Sequence, residues 1–142
     1  MDESLARFVA LYQQLNRDEL HCLPEVYANE VVFTDPAHRI EGLAALTDYF
    51  AALYQRLAYC RFAITSQLLQ GRHAWLGWTM TFSHPRLRGG EPVTVEGATR
   101  LEFDETGKVC LHHDYFDMGA MLYEQLPLLG SVVRAIKMRL GA

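Results

Sequence analysis

The chain has 142 residues, half of them apolar and 21% charged, and it carries a formal net charge of −4. This length suits one domain with a single core, and the acidic balance argues against nucleic acid as a partner. The three cysteines are scattered without Cys-x-x-Cys spacing, so neither a disulfide framework nor a zinc site is indicated and a reducing compartment fits best.

The first third of the chain shows three helical patterns and one strand. Its start, "MDESLARFVALYQQ", is acidic where a signal peptide is basic, and no apolar run approaches membrane-spanning length, so we expect a cytoplasmic protein. Apolar spacing predicts helices over residues 5–15 and 20–27, the second with Pro24 early, where a missing N–H does least harm. The stretch "VVFTDP" predicts a short strand that Pro36 ends. An i, i+3, i+7 apolar stripe over residues 43–57 gives the strongest helix prediction.

From residue 60 the apolar period changes from helical to alternating. Turn signals at "QGR", "PRLRGGEP" and "DETGK" separate four extended stretches and predict an antiparallel meander. In the third stretch, alternate residues over 93–103 are apolar or small, which indicates one interior face. A final segment, residues 118–142, predicts one or two helices interrupted near Pro127 and Gly130.

Helices followed by a meander with one apolar face predict an α+β fold. We expect one domain over residues 1–142, in which three N-terminal helices wrap a curved antiparallel sheet as a cone-shaped barrel and residues 118–142 form a helical extension. Such a cone encloses a pocket for an apolar small molecule. The residues expected to line it, which would serve equally well in any small core, are Tyr12, Tyr49, Phe50, Trp78, Thr99 and Phe116.

Three stretches in order resemble the nuclear transport factor 2-like superfamily, and within it the SnoaL-like polyketide cyclases and ketosteroid isomerases. They are "VYANEVVFTDP", "IEGLAALTDYF" and "LEFDETGKVCLHHDYFD", and the resemblance spans about residues 5–118. It implies the conical fold, a cofactor-independent site and a homodimer formed through the outer sheet face. The apolar face that carries Val109, Leu111 and Tyr115 is expected to serve as that interface.

Asp35, in "FTDP", matches the position of the general base in the isomerases. A carboxylate in a poorly solvated pocket can remove a proton from the carbon next to a carbonyl. An Asp-Pro pair is also a common turn, and we give that structural role at least equal weight.

His112 and Asp114, in "LHHDYFD", match the cyclases, whose last strand carries a histidine and an aspartate two residues apart. Strand alternation places both on one face. The resemblance makes Asp114 the acid/base group of an intramolecular aldol closure, with His112 steering the proton or holding the enolate oxygen. A buried His–Asp pair that only ties the strand to its neighbours is the structural alternative.

The sequence differs from the residue patterns of two related kinds of enzyme, and the spacing of its histidines argues against a metal site. Thr99 stands where the isomerases use a protonated aspartate, and a hydroxyl is a weaker acid for an enolate. Arg100 and Glu102, the nearest analogue of an epoxide hydrolase triad, fall on the wrong strand face. His112 and Asp114 lack further histidines at fixed ligand spacing, so we expect no metal or cofactor.

Two functions remain open. The first is an enzyme that transfers a proton on an apolar carbonyl compound, with Asp114, Asp35 and His112 as its acid/base groups. The second is a non-catalytic protein that binds an apolar or lipid-like ligand. The basic, amphipathic C-terminal segment could contact a membrane surface, although packing on the domain or on a partner subunit is favoured.

Overall fold

The computed structural model describes residues 2–16, 18–121 and 129–141. Two regular helices, α1 and α2, lie in the first half of the chain, and two more, α3 and α4, follow the last strand. The bounds in chain order are α1 Asp2–Gln14, a 3₁₀ helix Leu20–Glu25, β1 Tyr27–Thr34, β2 Arg39–Glu41, α2 Leu43–Arg56, β3 Tyr59–Gln70, β4 His73–Ser83, a 3₁₀ turn Arg88–Gly90, β5 Val93–Phe103, β6 Val109–Phe116, α3 Met118–Met121 and α4 Leu129–Gly141.

The six strands form one curved, unclosed sheet in the order β2-β1-β6-β5-β4-β3. The predicted α+β class and the meander are confirmed, because β3 to β6 pair antiparallel in sequence order. The sheet is antiparallel except at one pair of strands, since β1 runs parallel to β6. The two strands are far apart in sequence, and the intervening helix and hairpins supply the long connection that a parallel pair requires.

Helices α1 and α2 cover the concave face of the sheet. Their buried side chains recur at helical spacing, with Leu5, Phe8 and Tyr12 on α1 and Leu46 and Phe50 among those on α2. Burial of these apolar stripes, more than intrinsic helix propensity, holds each helix in place.

The predicted second helix is shorter than its pattern suggests. It is a 3₁₀ helix that ends at Glu25, and Tyr27 already begins β1. Pro24 lies inside this helix and cannot donate a main-chain hydrogen bond. The buried residues Val26 and Tyr27 are β-branched and aromatic, types that favour an extended strand.

A bulge near the start of β6 changes which side chains face inward. Leu111 pairs with Glu102, but Val109 pairs with Phe103, so Cys110 is the extra residue. Val109 is therefore fully buried on the concave side. The prediction that it lies on the outer face with Leu111 and Tyr115 is wrong.

The C-terminal extension contains two helices after β6. The predicted interruption at Pro127 lies outside the described residues, whereas Gly130 lies within α4. Lys137 on α4 forms an ion pair with Asp117 just after β6. The apolar stripe of α4 is open to solvent, with Ile136 53% exposed. Over the part of the chain that the structure describes, no helix combines the length and apolar character needed to span a bilayer.

Candidate functional site

A cavity of about 270 Å³ lies between the concave face of the sheet and α2. Five of the six predicted lining residues line it, and Thr99 lies behind the wall. Aromatic and aliphatic side chains make up most of the surface, which suits an apolar small molecule. The lining comprises Tyr12, Phe33, Asp35, Ala37, His38, Tyr49, Phe50, Leu53, Tyr54, Arg56, Leu57, Cys60, Phe62, Trp78, Met80, Phe82, His84, Leu87, Asp114, Phe116 and Met118.

Asp114 is the buried carboxylate of this cavity. The β5–β6 register sets it opposite Thr99, whose hydroxyl donates to Asp114 Oδ1 at 2.5 Å. The same oxygen lies 2.7 Å from Nε2 of His112. Oδ2 has no hydrogen-bond partner among the described residues, and the side chain keeps 10% exposure. One oxygen is thus fixed by the protein, and the other is left for a molecule in the cavity.

His112 lies one layer behind Asp114, fully buried and absent from the cavity wall. Its Nδ1 is 2.7 Å from the hydroxyl of Tyr27, and the ring centroids of Phe33 and Phe8 lie 4.7 and 5.8 Å from its own. With Nε2–H donating to the carboxylate, the remaining nitrogen accepts from Tyr27, and both ring nitrogens have a partner. Through this arrangement His112 orients Asp114 without touching the cavity.

The hydrogen-bond chain continues beyond Thr99, because Trp78 Nε1 donates to Thr99 Oγ1 at 2.7 Å. On the other side, burial raises the pKa of the Tyr27 phenol, so its hydroxyl remains a donor to His112. The donors on both sides therefore point toward Oδ1 of Asp114. A buried hydrogen-bond chain of this kind holds the carboxylate in place, because moving any member would leave a buried donor or acceptor without its partner.

Asp35 lies in the cavity wall and is tied into a turn. Its Oδ1 accepts hydrogen bonds from the backbone N–H groups of Ala37 at 2.9 Å and His38 at 2.7 Å, and it lies 3.1 Å from the His38 ring. Tyr49 donates its hydroxyl to Oδ2 at 2.7 Å. Both oxygens therefore already have hydrogen-bond partners within the protein. The geometry matches the turn alternative, and a catalytic role for Asp35 stays a prediction.

Four tyrosines around the cavity remain protonated donors. Burial raises the pKa of Tyr12, Tyr27, Tyr49 and Tyr54, and the negative charge of Asp114 raises the first three further. Burial also raises the pKa of the Cys60 thiol to about 12, so this cavity residue stays a thiol near neutral pH.

A metal-ligand cluster is found elsewhere in the described residues. Glu19, His21 and Cys22 place their ligand atoms within 4.8 Å of one another, but none of them lines the cavity. Within the described part of the cavity wall, no group of three histidine, cysteine or carboxylate side chains meets that distance.

Two site residues were missed by the sequence interpretation. Tyr27 is the partner of His112, and Arg56 lies in the cavity wall. A partial signal exists for Arg56, which follows Tyr49 by seven residues and so shares its side of the helix. Tyr27 has no comparable local signal, because tertiary packing brings it to the site.

Comparison with known proteins gives a consistent result. A family model described as the SnoaL-like domain matches residues 7–112. No curated protein matches significantly. Similar solved structures include a ketosteroid isomerase-like protein from Catenulispora acidiphila bound to trimethylamine, at 19% identity and a TM-score of 0.72, with 88% of this chain and 94% of that chain covered.

Two further structures show the same fold. An NTF2-like protein of unknown function from Burkholderia pseudomallei has 16% identity and a TM-score of 0.72, with coverage of 84% of this chain and 92% of that chain. TerC, co-crystallised with polyporic acid, has 16% identity and a TM-score of 0.71 at the same coverage, 84% and 92%. At these identities the likeness establishes the fold and leaves the activity open.

Proposed function

The chain belongs to the SnoaL-like domain family, and from that premise we propose that it is a cofactor-independent enzyme that transfers a proton on an apolar carbonyl compound. One observation carries the proposal. Asp114 is a buried carboxylate with Oδ1 held by His112 and Thr99, and its Oδ2 has no partner among the described residues. A base held this way in an apolar cavity is suited to remove a proton from the carbon beside a carbonyl.

In the proposed reaction, Asp114 is the catalytic residue. Oδ2 takes the proton from carbon and returns it at a second position of the same molecule, which gives isomerisation, or delivers it to the alkoxide of a ring closure. His112 and Thr99 are positioning residues, since both act through Oδ1. Asp35 would be a second acid/base group at the rim, where it also orients the Tyr49 hydroxyl.

The test follows proton transfer directly. In D₂O, exchange of the α-hydrogens of 2-tetralone is followed by NMR, and binding of the same ketone is measured by quenching of Trp78 fluorescence. We expect the wild-type protein to accelerate exchange and Asp114→Asn to lose at least 100-fold of it, with binding nearly unchanged. Glu102→Gln, on the other face of the sheet, is the control and should exchange normally. Equal exchange by wild type and Asp114→Asn would contradict the proposal.

A non-catalytic binding protein is the second candidate. The observation that favours it is that both carboxylates of the cavity already accept hydrogen bonds from the protein. This alternative predicts ligand binding that depends on apolar wall residues such as Phe50 and Trp78, with no acceleration of exchange for any ketone.

We also propose a homodimer formed through the outer face of the sheet. Trp75 and Tyr115 stack there at 5.8 Å and are 43% and 45% exposed, an unusual pair for a surface open to water. Arg100 lies between Trp75 and His113 in the strand register, and its buried Nε has no hydrogen-bond partner in the described part of the chain. A partner subunit would cover the aromatic pair and offer acceptors to this guanidinium.

We propose a cytoplasmic location, which suits three cysteine thiols that are all free. We also propose that residues 1–142 act as one domain with 118–142 as its extension. The C-terminal helix is proposed to pack on protein rather than on a membrane.

A further inference from the structure

The end of α2 and the end of β4 meet at one side of the cavity. The backbone N–H of Ala58 donates to the carbonyl of Ser83 at 2.8 Å. Arg56 lies two residues before this hydrogen bond and His84 one residue after it, and both side chains line the cavity. Two groups that can carry positive charge therefore flank the same hydrogen bond at this side of the cavity.

Both groups have hydrogen-bond donors to spare. Arg56 is exposed and makes no hydrogen bond or ion pair with any described residue. In His84, Nδ1 accepts from the backbone N–H of Arg86 at 3.0 Å. Because Nδ1 accepts, Nε2 is the ring nitrogen that can carry the proton and act as a donor. A guanidinium beside an imidazole N–H is a pair that recognises an anion.

The charges of the cavity are separated along α2. Tyr49, Leu53 and Arg56 lie at i, i+4 and i+7 in this helix, and all three line the cavity. Seven residues at a rise of about 1.5 Å each put Tyr49 and Arg56 about 10 Å apart. The Tyr49 end holds both carboxylates. Tyr49 donates to Asp35.

Asp114 lies at the same end, because Phe33 packs 5.6 Å from the ring of Tyr49 and 4.7 Å from the ring of His112, the hydrogen-bond partner of Asp114. The two carboxylates, with the His38 ring beside Asp35, therefore lie at one end of the cavity, and the Arg56 guanidinium lies at the other.

From this arrangement we propose that Arg56 and His84 form an anion subsite that selects apolar carbonyl compounds carrying a carboxylate. This inference rests on the proposed function in one respect, namely that the carbonyl end of the ligand lies at Asp114. A ligand with its carboxylate at Arg56 presents its opposite end to Asp114, and the reverse orientation would bring the carboxylate against Asp35 and Asp114. The subsite thus fixes both which ligands bind and which way round they lie.

The subsite is tested by a matched pair of probes. The first is 4′-acetylbiphenyl-4-carboxylate, which carries its carbonyl and its carboxylate at opposite ends of a rigid apolar body, and the second is uncharged 4-acetylbiphenyl. We expect the wild-type protein to bind the carboxylate probe about tenfold more tightly than the uncharged probe, because a hydrogen bond to a charged group is worth about that much. This preference should weaken as the salt concentration increases. Equal affinity for the two probes would overturn the inference.

Variants separate the subsite from other roles of the same residues. Arg56→Gln and His84→Gln should each reduce the preference for the carboxylate while leaving affinity for the neutral probe unchanged. Arg72→Gln, in the exposed turn between β3 and β4, is the matched control and should keep the full preference. Arg56 also lies in the last turn of α2, where a cation complements the helix dipole. A lower melting temperature with an intact preference would assign it to that role and overturn the inference.

Failure of the subsite and failure of the proposed reaction give different results. If neither ketone exchanges hydrogen but the carboxylate is still preferred, the enzymatic proposal fails and the subsite stands. If both exchange normally without any preference for charge, the subsite fails and the enzymatic proposal stands.

Discussion

At the scale of single residues, His112 and Asp114 of β6 have a structural role and also leave one atom open to chemistry. His112 is fully buried behind Asp114, and the pair is fixed by Tyr27 on one side and Thr99 on the other. A buried pair with no further role would have all its acceptors satisfied. Asp114 instead keeps one oxygen without a partner among the described residues, in the wall of a cavity.

Removing the hydroxyl of Tyr27 tests how much the hydrogen bonds from Tyr27 through His112 to Asp114 stabilise the fold. Tyr27→Phe leaves Nδ1 of His112 buried without its donor, so we expect the free energy of unfolding to fall by about 1–3 kcal/mol. Urea denaturation measures this change. Tyr115→Phe is the control, since this exposed hydroxyl lies 3.3 Å from His113 at the surface, and it should change stability by less than about 0.5 kcal/mol. Equal losses in both variants would argue against the buried chain.

The buried tyrosines make stability depend on alkaline pH. Burial raises the folded-state pKa of Tyr12 and Tyr27 above the ordinary value of 10.0. Their contribution is fully present below pH 10, and it is lost as the pH rises toward the folded value because the unfolded chain releases these protons first. We expect a steep loss of stability above pH 10. Absorbance at 295 nm should show these phenols ionising only on unfolding, and smooth ionisation in the folded protein would contradict the expectation.

At the scale of elements, β5 is shaped by one close approach. A Cβ on Gly97 would lie 2.3 Å from Cη2 of Trp78, the side chain that donates to Thr99. Gly97→Ala should therefore displace the indole, break that hydrogen bond and destabilise the protein by about 1–3 kcal/mol. The measurements are urea denaturation and a shift in tryptophan emission. Gly141→Ala, where a Cβ meets nothing within 4 Å, is the control and should leave both unchanged.

The elements also show how far local sequence patterns reach. Alternation correctly predicted the inward face of β5, because that face follows from a period of two. It also put His112 and Asp114 on one face of β6, whereas the expectation that both enter the cavity came from the family resemblance, and only Asp114 lines the cavity. It failed at Val109, since the bulge at Cys110 adds one residue and reverses the face. Arg56 and His84 could not be paired from sequence, because their proximity depends on the hydrogen bond that joins α2 to the end of β4.

At the scale of the whole molecule, two surfaces compete to be the subunit interface. The outer face of the sheet presents the stacked rings of Trp75 and Tyr115, while α4 presents an apolar stripe that includes Val132 and Ile136, 49% and 53% exposed. The sheet face also carries the buried Nε of Arg100, which lacks a partner in the described part of the chain. Helix α4 exposes apolar side chains, but among its described residues no buried side-chain nitrogen or oxygen lacks a hydrogen-bond partner.

We therefore expect the sheet face to hold the dimer together. Trp75→Glu puts a charge into the centre of that face and should convert the dimer to a monomer in sedimentation equilibrium, because an unpaired charge in a buried interface is strongly unfavourable. Ile136→Glu makes the same kind of change on α4 and should leave the dimer intact. The opposite pattern would place the interface on α4. A monomeric wild-type protein would contradict the proposed dimer. Since neither residue lines the cavity, binding of 2-tetralone should survive in both variants, which separates assembly from the site.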